Sequence, residues 1–185
     1  MRNPYCFHLD INVPVFKPGK NFTNYQANKY HNKFPTKNNA SDELIDFMKS
    51  VGLILWYEFE IFQSELNSNT IIHTDIEPGD FPKLNYVFDG KDSVMNWYEP
   101  KIENNQIEVS LDNRPYISYH QNEVDLKHCE AVGLGNPSIV QTGVPHNVTT
   151  STESRCCVSF IYVIEKTLTR PTFNECYTIF EKYLL

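Results

Sequence analysis

The feature that most restricts the fold is a period-two alternation in LILWYEFEIFQSEL, residues 53–66. Tyr57, Phe59 and Ile61 fall on one side, Glu58 and Glu60 on the other, which predicts a long strand with one wet face. Shorter strand-like runs follow at 71–75, 82–88, 94–98, 106–111, 124–132, 138–142, 144–148 and 155–164. Turn residues separate them: Asp89-Gly90, Asn104-Asn105, Asp112-Asn113 and Gly133-Leu-Gly-Asn-Pro137.

Two segments carry helical signals instead. In SDELIDFMKSVG, 41–52, Ser41 can cap, Asp42 and Glu43 suit the positive N-terminal end, and Gly52 can end the helix. Leu44, Ile45, Met48 and Val51 share one face. Thr172 and Glu175 form a capping box that opens a C-terminal helix over 172–185. Residues 17–40 are polar and rich in Asn and Lys, with Pro18, Gly19 and Pro35, and read as a long loop. Many short strands and few helices predict a mainly β domain, a sandwich or closed barrel with helices against one sheet.

At 185 residues, one domain over 1–185 can bury a full core, with its centre over about 53–165. Aromatic residues make up 14%, more than a helical bundle needs and well suited to strands. The net charge of −7 argues against nonspecific binding to nucleic acid or anionic membranes. No run approaches the roughly 20 apolar residues of a membrane helix. No secretory signal is legible in MRNPYCFHLDINV, and the five cysteines are an odd number. They are expected as free thiols in a cytoplasmic protein.

Chemistry enters with His73-Thr-Asp75. Six histidines and 23 acidic residues give roughly 0.7 such pairs by chance, and this chain has three, with His8-Leu-Asp10 and His128-Cys-Glu130. Position must therefore choose among them. On a strand, residues two apart point to the same face, so His73 and Asp75 converge as two metal ligands must. A third ligand has to come from His8, His31, His120, His128 or His146. His146 stands out, because a Gly-Val-Pro bend delivers it to the head of a strand. Arg155 opens RCCVSFIYVI, the most apolar strand. An arginine there is costly unless it meets an anion, which its fork binds in bidentate fashion. His8 and Asp10 are expected on an added edge strand, and His128 on an outer face. Trp56 and Trp97 are expected in the core or on the sheet surface.

The ordered set His73, Asp75, His146 and Arg155 resembles the Fe(II)/2-oxoglutarate-dependent oxygenases. HTDIEPGDFPKLNYVFDGKDSVMNWYEP is similar to oxygenase-like proteins of phages and marine microbes. It resembles the aspartyl/asparaginyl hydroxylase and phytanoyl hydroxylase branches more loosely. The resemblance covers about 53–165. It implies a double-stranded β-helix, or cupin-like jelly roll, of eight core strands with a few flanking helices. It implies Fe(II) held by His73, Asp75 and His146, leaving positions for a 2-oxo acid and O₂. Arg155 would hold the far carboxylate of the co-substrate, 2-oxoglutarate. Asn85, then Lys83, would face that co-substrate from FPKLNYVF, where Lys83, Asn85 and Val87 share one side. The implied activity is hydroxylation of a small molecule or a protein side chain. The chain departs from the family at Cys157, where a serine often stands two residues after the arginine. A metal-binding cupin with other chemistry would keep the triad without needing Arg155. A non-catalytic jelly roll would need none of these residues.

Overall fold

A computed structural model of the chain describes residues 3–20, 31–75, 81–103, 106–109, 115–131, 136–150 and 152–185. In chain order the elements are β1 (Cys6–His8), β2 (His31–Pro35), α1 (Thr36–Asn39), α2 (Asp42–Ser50), β3 (Leu53–Ser64), β4 (Ile72–Asp75) and β5 (Pro82–Phe88). They continue with β6 (Val94–Pro100), β7 (Glu108–Val109), β8 (Pro115–Tyr119), β9 (Val124–Ala131), β10 (Ser138–Gln141), β11 (His146–Thr149), β12 (Arg155–Ile164) and α3 (Phe173–Ile179).

The strands form two antiparallel six-stranded sheets. The first has the order β1-β10-β5-β12-β3-β2, the second β7-β8-β4-β11-β6-β9. Between β3 and β6, and again between β10 and β12, each successive strand changes sheet. The two sheets are therefore woven from one chain and cannot separate as independent units. No helix among the described residues is long and apolar enough to cross a membrane.

Alternation sorts the first sheet into two faces. Phe59, Ile61, Leu84, Tyr86, Val158 and Phe160 pack outward with Leu44 and Met48 of α2 and Phe173, Cys176 and Phe180 from α3 and its end. Fully burying each such side chain stabilises the fold by about 1.5–3 kcal/mol before entropy is counted. Between the sheets, Cys6, Val87, Met95, Trp97, Val140 and Cys157 close one end. The other end holds a cavity of about 810 Å³.

The helix signals hold in part. Ser41 Oγ accepts from Leu44 N at 2.9 Å, and Gly52 follows α2 with φ +78°. The Thr172–Glu175 capping box is present. The C-terminal helix is shorter than its sequence suggests: α3 ends at Ile179, a single 3-10 turn covers Glu181–Tyr183, and Leu184 bridges Leu9. That bridge needs extended backbone, which the helix cannot supply.

The loop expected over 17–40 is also corrected. Residues 31–39 form β2 and α1, with β2 pairing along β3 as an edge strand. An edge strand buries little, so HNKFP carries no apolar alternation to betray it. Residues 21–30 of that segment lie outside the described residues, as do the turns at Asn104-Asn105 and Asp112-Asn113. So do 110–111 and 132 of two expected strands and 133–135 of the Gly-rich turn. Strand β8 was not legible, whereas β1 is the edge strand expected around His8, with Asp10 just beyond it.

Candidate metal centre

His73, Asp75 and His146 meet at the cavity, on neighbouring strands of the second sheet. In the β4–β11 pairing His146 stands directly opposite His73, so both rings project from one face. Their centroids are 4.5 Å apart. Asp75, two residues along β4, projects from the same face. One donor atom from each of the three lies within 4.8 Å of the others. Among the described residues no other three His, Cys, Asp or Glu side chains gather in this way.

The tautomers follow from hydrogen bonds. His73 Nδ1 lies 3.0 Å from Ile71 O, and His146 Nδ1 2.9 Å from Val144 O. A carbonyl only accepts, so each Nδ1 carries the proton and each Nε2 presents a lone pair. The strand bearing His146 is itself fastened. Asn147 donates to Asn69 Oδ1 at 2.7 Å and accepts from Asn96 Nδ2 at 2.9 Å and Tyr98 OH at 3.1 Å. Because neighbours on a strand point to opposite faces, anchoring Asn147 on one side aims His146 to the other.

Electrostatics suits a cation. Burial, then the neighbouring His73, pushes the His146 pKa down to about 4, so the free ring is a neutral ligand near pH 7. Burial alone would raise the Asp75 pKa. Lys83, followed by His146 and His73, outweighs that and holds the carboxylate well below its usual range. Lys83 Nζ lies 2.9 Å from Asp75 Oδ2 and 3.1 Å from Glu60 Oε2. Two imidazoles and a carboxylate at this spacing fit a divalent first-row metal and leave coordination positions toward the cavity.

Arg155 lies on the cavity wall at 5% exposure and makes no ion pair among the described residues. Its buried Nε–H has no acceptor there either. Burial raises the thiol pKa of neighbouring Cys157, and the charge of Arg155 beside it pulls the other way. Asn85 lines the same cavity and accepts from Ser159 Oγ at 2.7 Å. The shared face read for Lys83, Asn85 and Val87 is present, with Leu84 and Tyr86 on the opposite, helix-covered side.

The other histidines with described side chains lie elsewhere. His8 Nε2 and His128 Nε2 both reach Glu130, at 3.4 and 2.9 Å, tying an edge of one sheet to an edge of the other. His128 is not on the outer face. It is registered opposite Trp97 and packs its ring against Trp97 and Tyr5 between the sheets. His120 precedes an exposed 3-10 turn.

Three features escaped sequence reasoning. Glu60, read as part of a wet face, is 5% exposed, because that face of β3 looks into the sandwich. Trp97 is in the core as expected, but Trp56 lines the cavity and is 40% exposed. Here the β3–β12 register slips: Phe160 opposes Phe59, but Tyr162 opposes Leu55. Two extra residues in β3 bulge out, which lets adjacent Trp56 and Tyr57 both line the cavity. Tyr116 is the third, registered opposite Asp75 on the unforeseen β8. No protein-family model matches the chain, and no curated protein matches it.

Proposed function

We propose that this protein is an Fe(II)/2-oxoglutarate-dependent oxygenase built on a double-stranded β-helix. The pairing orders β10-β5-β12-β3 and β4-β11-β6-β9 support the fold reading, because eight strands alternating this way make the two sheets of a jelly roll. The observation that carries the activity is the coexistence, in one cavity, of the His73–Asp75–His146 group with the buried Arg155, which forms no ion pair among the described residues.

Charge counting favours a dianionic co-substrate. Among the buried and half-buried groups around the metal-ligating side chains, Asp75 and Glu60 balance Lys83 and Arg155, while Lys33, Glu58 and Glu65, none of them buried, also line the cavity. A divalent metal would add two positive charges to that balanced group. A 2-oxo diacid neutralises both, and Arg155 offers its far carboxylate a bidentate fork. A metal-binding cupin with other chemistry would have no use for that arginine, and a non-catalytic sandwich none for the Nδ1 bonds that bare both Nε2 atoms.

In this reading His73, Asp75 and His146 hold the iron, and Arg155 orients the co-substrate. Asn85 and Ser159 supply a polar wall to the cavity, while Trp97 and Met95 exclude water from the packed end. The iron, when bound, would supply the redox chemistry with O₂ that side chains lack. Trp56, Tyr57 and Tyr116 line the cavity where a small molecule or a protein side chain would bind. Five cysteines that form no disulfide suit a reducing compartment, and we assign the protein to the cytoplasm.

Anaerobic addition of Fe(II) and then 2-oxoglutarate tests the reading. A weak visible charge-transfer band that needs both is the expected result. Tight Fe(II) binding with no response to the 2-oxo acid would favour the other cupin chemistry. No metal binding would leave only the fold.

A further inference from the structure

We propose that Lys83 sets how Asp75 grips the metal, confining it to a single oxygen. This inference rests on the metal-centre reading above. The two oxygens of Asp75 have different neighbours. Oδ1 lies 3.6 Å from His73 Nε2, on the side where the imidazole donors gather. Oδ2 lies 2.9 Å from Lys83 Nζ. A carboxylate left to itself can chelate with both oxygens and fill two positions. With Oδ2 held by an ammonium, Oδ1 alone is left for the metal.

The consequence is a count of open positions. Two imidazoles and one carboxylate oxygen leave three positions on an octahedral ion, whereas a chelating carboxylate leaves two. A bidentate 2-oxo acid plus O₂ requires all three. Lys83 thus protects co-substrate binding without touching the co-substrate.

Glu60 completes the device. It holds the same ammonium at 3.1 Å from β3, while Asp75 approaches from β4 in the other sheet. Once a metal draws on the charge of Asp75, Glu60 still neutralises Lys83 and keeps it in place. Lys83 and Glu60 side chains are 5% and 7% exposed, so water is a poor substitute for either. An arginine would satisfy the same carboxylates through its fork, which makes it the conservative replacement.

The test uses the whole protein loaded with Mn(II), whose bound waters are counted by water-proton relaxation. The variants are Lys83→Met combined with Glu60→Gln, so that no buried charge is stranded, and Lys83→Arg. The double variant should lose about one of three metal-bound waters and bind 2-oxoglutarate at least about tenfold more weakly, with Mn(II) affinity falling by no more than about a hundredfold. Lys83→Arg should keep the parent water count. Should the double variant fail to fold, Lys83→Leu combined with Glu60→Leu carries the same comparison, again with no donor on Asp75 Oδ2 and no buried charge stranded. Parent-like water count and 2-oxoglutarate affinity in the variant would overturn the proposal. So would a folded variant that no longer binds Mn(II), since Lys83 would then build the site rather than set its denticity. A parent that binds no Mn(II) would remove the metal-centre reading itself, a separate and recognisable failure.

Discussion

Gly90 lies against the head of β12 with no room for a side chain: a Cβ built at Gly90 would lie 2.8 Å from Arg155 Cβ and 3.1 Å from Arg155 Cα. Gly90 also has φ +67°, in the left-handed region that side chains disfavour. Gly90→Ala should therefore act twice. The backbone term costs about 1–2 kcal/mol of stability. The contact pushes the head of β12, so 2-oxoglutarate affinity should fall at least roughly threefold while metal affinity stays near the parent value. Denaturant melts and a 2-oxoglutarate titration on Mn(II)-loaded protein read the two effects separately. Parent-like values in both would show that the turn yields.

Alanine at His73, Asp75 or His146 should weaken Fe(II) or Mn(II) binding by at least about a hundredfold, since losing a ligand exceeds the roughly 10–100-fold cost of losing a group that orients one. His8→Ala and His128→Ala should leave metal affinity unchanged, because both rings are spent on Glu130. Direct metal titration of the five variants decides it. A parent-like His146→Ala would mean the triad is wrongly drawn.

Arg155→Ala should lower 2-oxoglutarate affinity by at least about tenfold, from the roughly 2–5 kcal/mol attached to a partly buried charge-assisted pair. Metal affinity should hardly move. Arg155→Lys should recover only part, for want of the fork. Equal affinities in all three proteins would take Arg155 out of the site.

The metal-free protein should lose stability on mild acidification. His146 titrates near 6.5 when unfolded and near 4 when native. Above the higher value both states carry a neutral ring and contribute no difference. As pH falls through that window the unfolded chain takes up a proton the native state refuses, so stability drops. The loss approaches about 3 kcal/mol and is complete below the native value. Urea denaturation of chelator-treated protein at several pH values measures the slope, and His146→Asn should flatten it. An unchanged slope in the variant would show that the ring is not held neutral.

Cys129 is exposed, whereas Cys6, Cys156, Cys157 and Cys176 are buried, with the Cys6 and Cys156 thiols pushed up to about 12 by burial. One thiol should react promptly with an aromatic disulfide reagent in the native protein, and all five after unfolding. Fewer than five in denaturant would reveal a disulfide.

Much of this architecture was readable because local pattern and tertiary environment agree. His73 and Asp75 share a face by strand periodicity alone, and the Gly-Val-Pro bend before His146 marked the third donor. Lys83 and Asn85 were separated correctly from Leu84 and Tyr86 by the same rule. The failures have a common cause in partners distant along the chain. Glu60 looked like a solvent-facing residue because its cation, Lys83, sits on another strand. Trp56 reached the cavity through a two-residue register slip that no composition signals. β2 was hidden because an edge strand needs little apolar surface, and the C-terminal helix was overextended because Leu184 pairs with Leu9 at the opposite end of the sequence.

The registered pair between His73 and His146 bears on the order of folding events. These residues come together only after the chain has closed a loop of roughly 70 residues, an entropy cost that must be met before the pairing is rewarded. β4 itself is short, and His146–His73 is its one registered partnership with β11. The ligand set therefore does not exist in a half-assembled second sheet, and a metal ion added during refolding should find no high-affinity site until that closure is complete. On the metal-centre reading, metal uptake would be a clock for the closing of the sheet rather than a template for it.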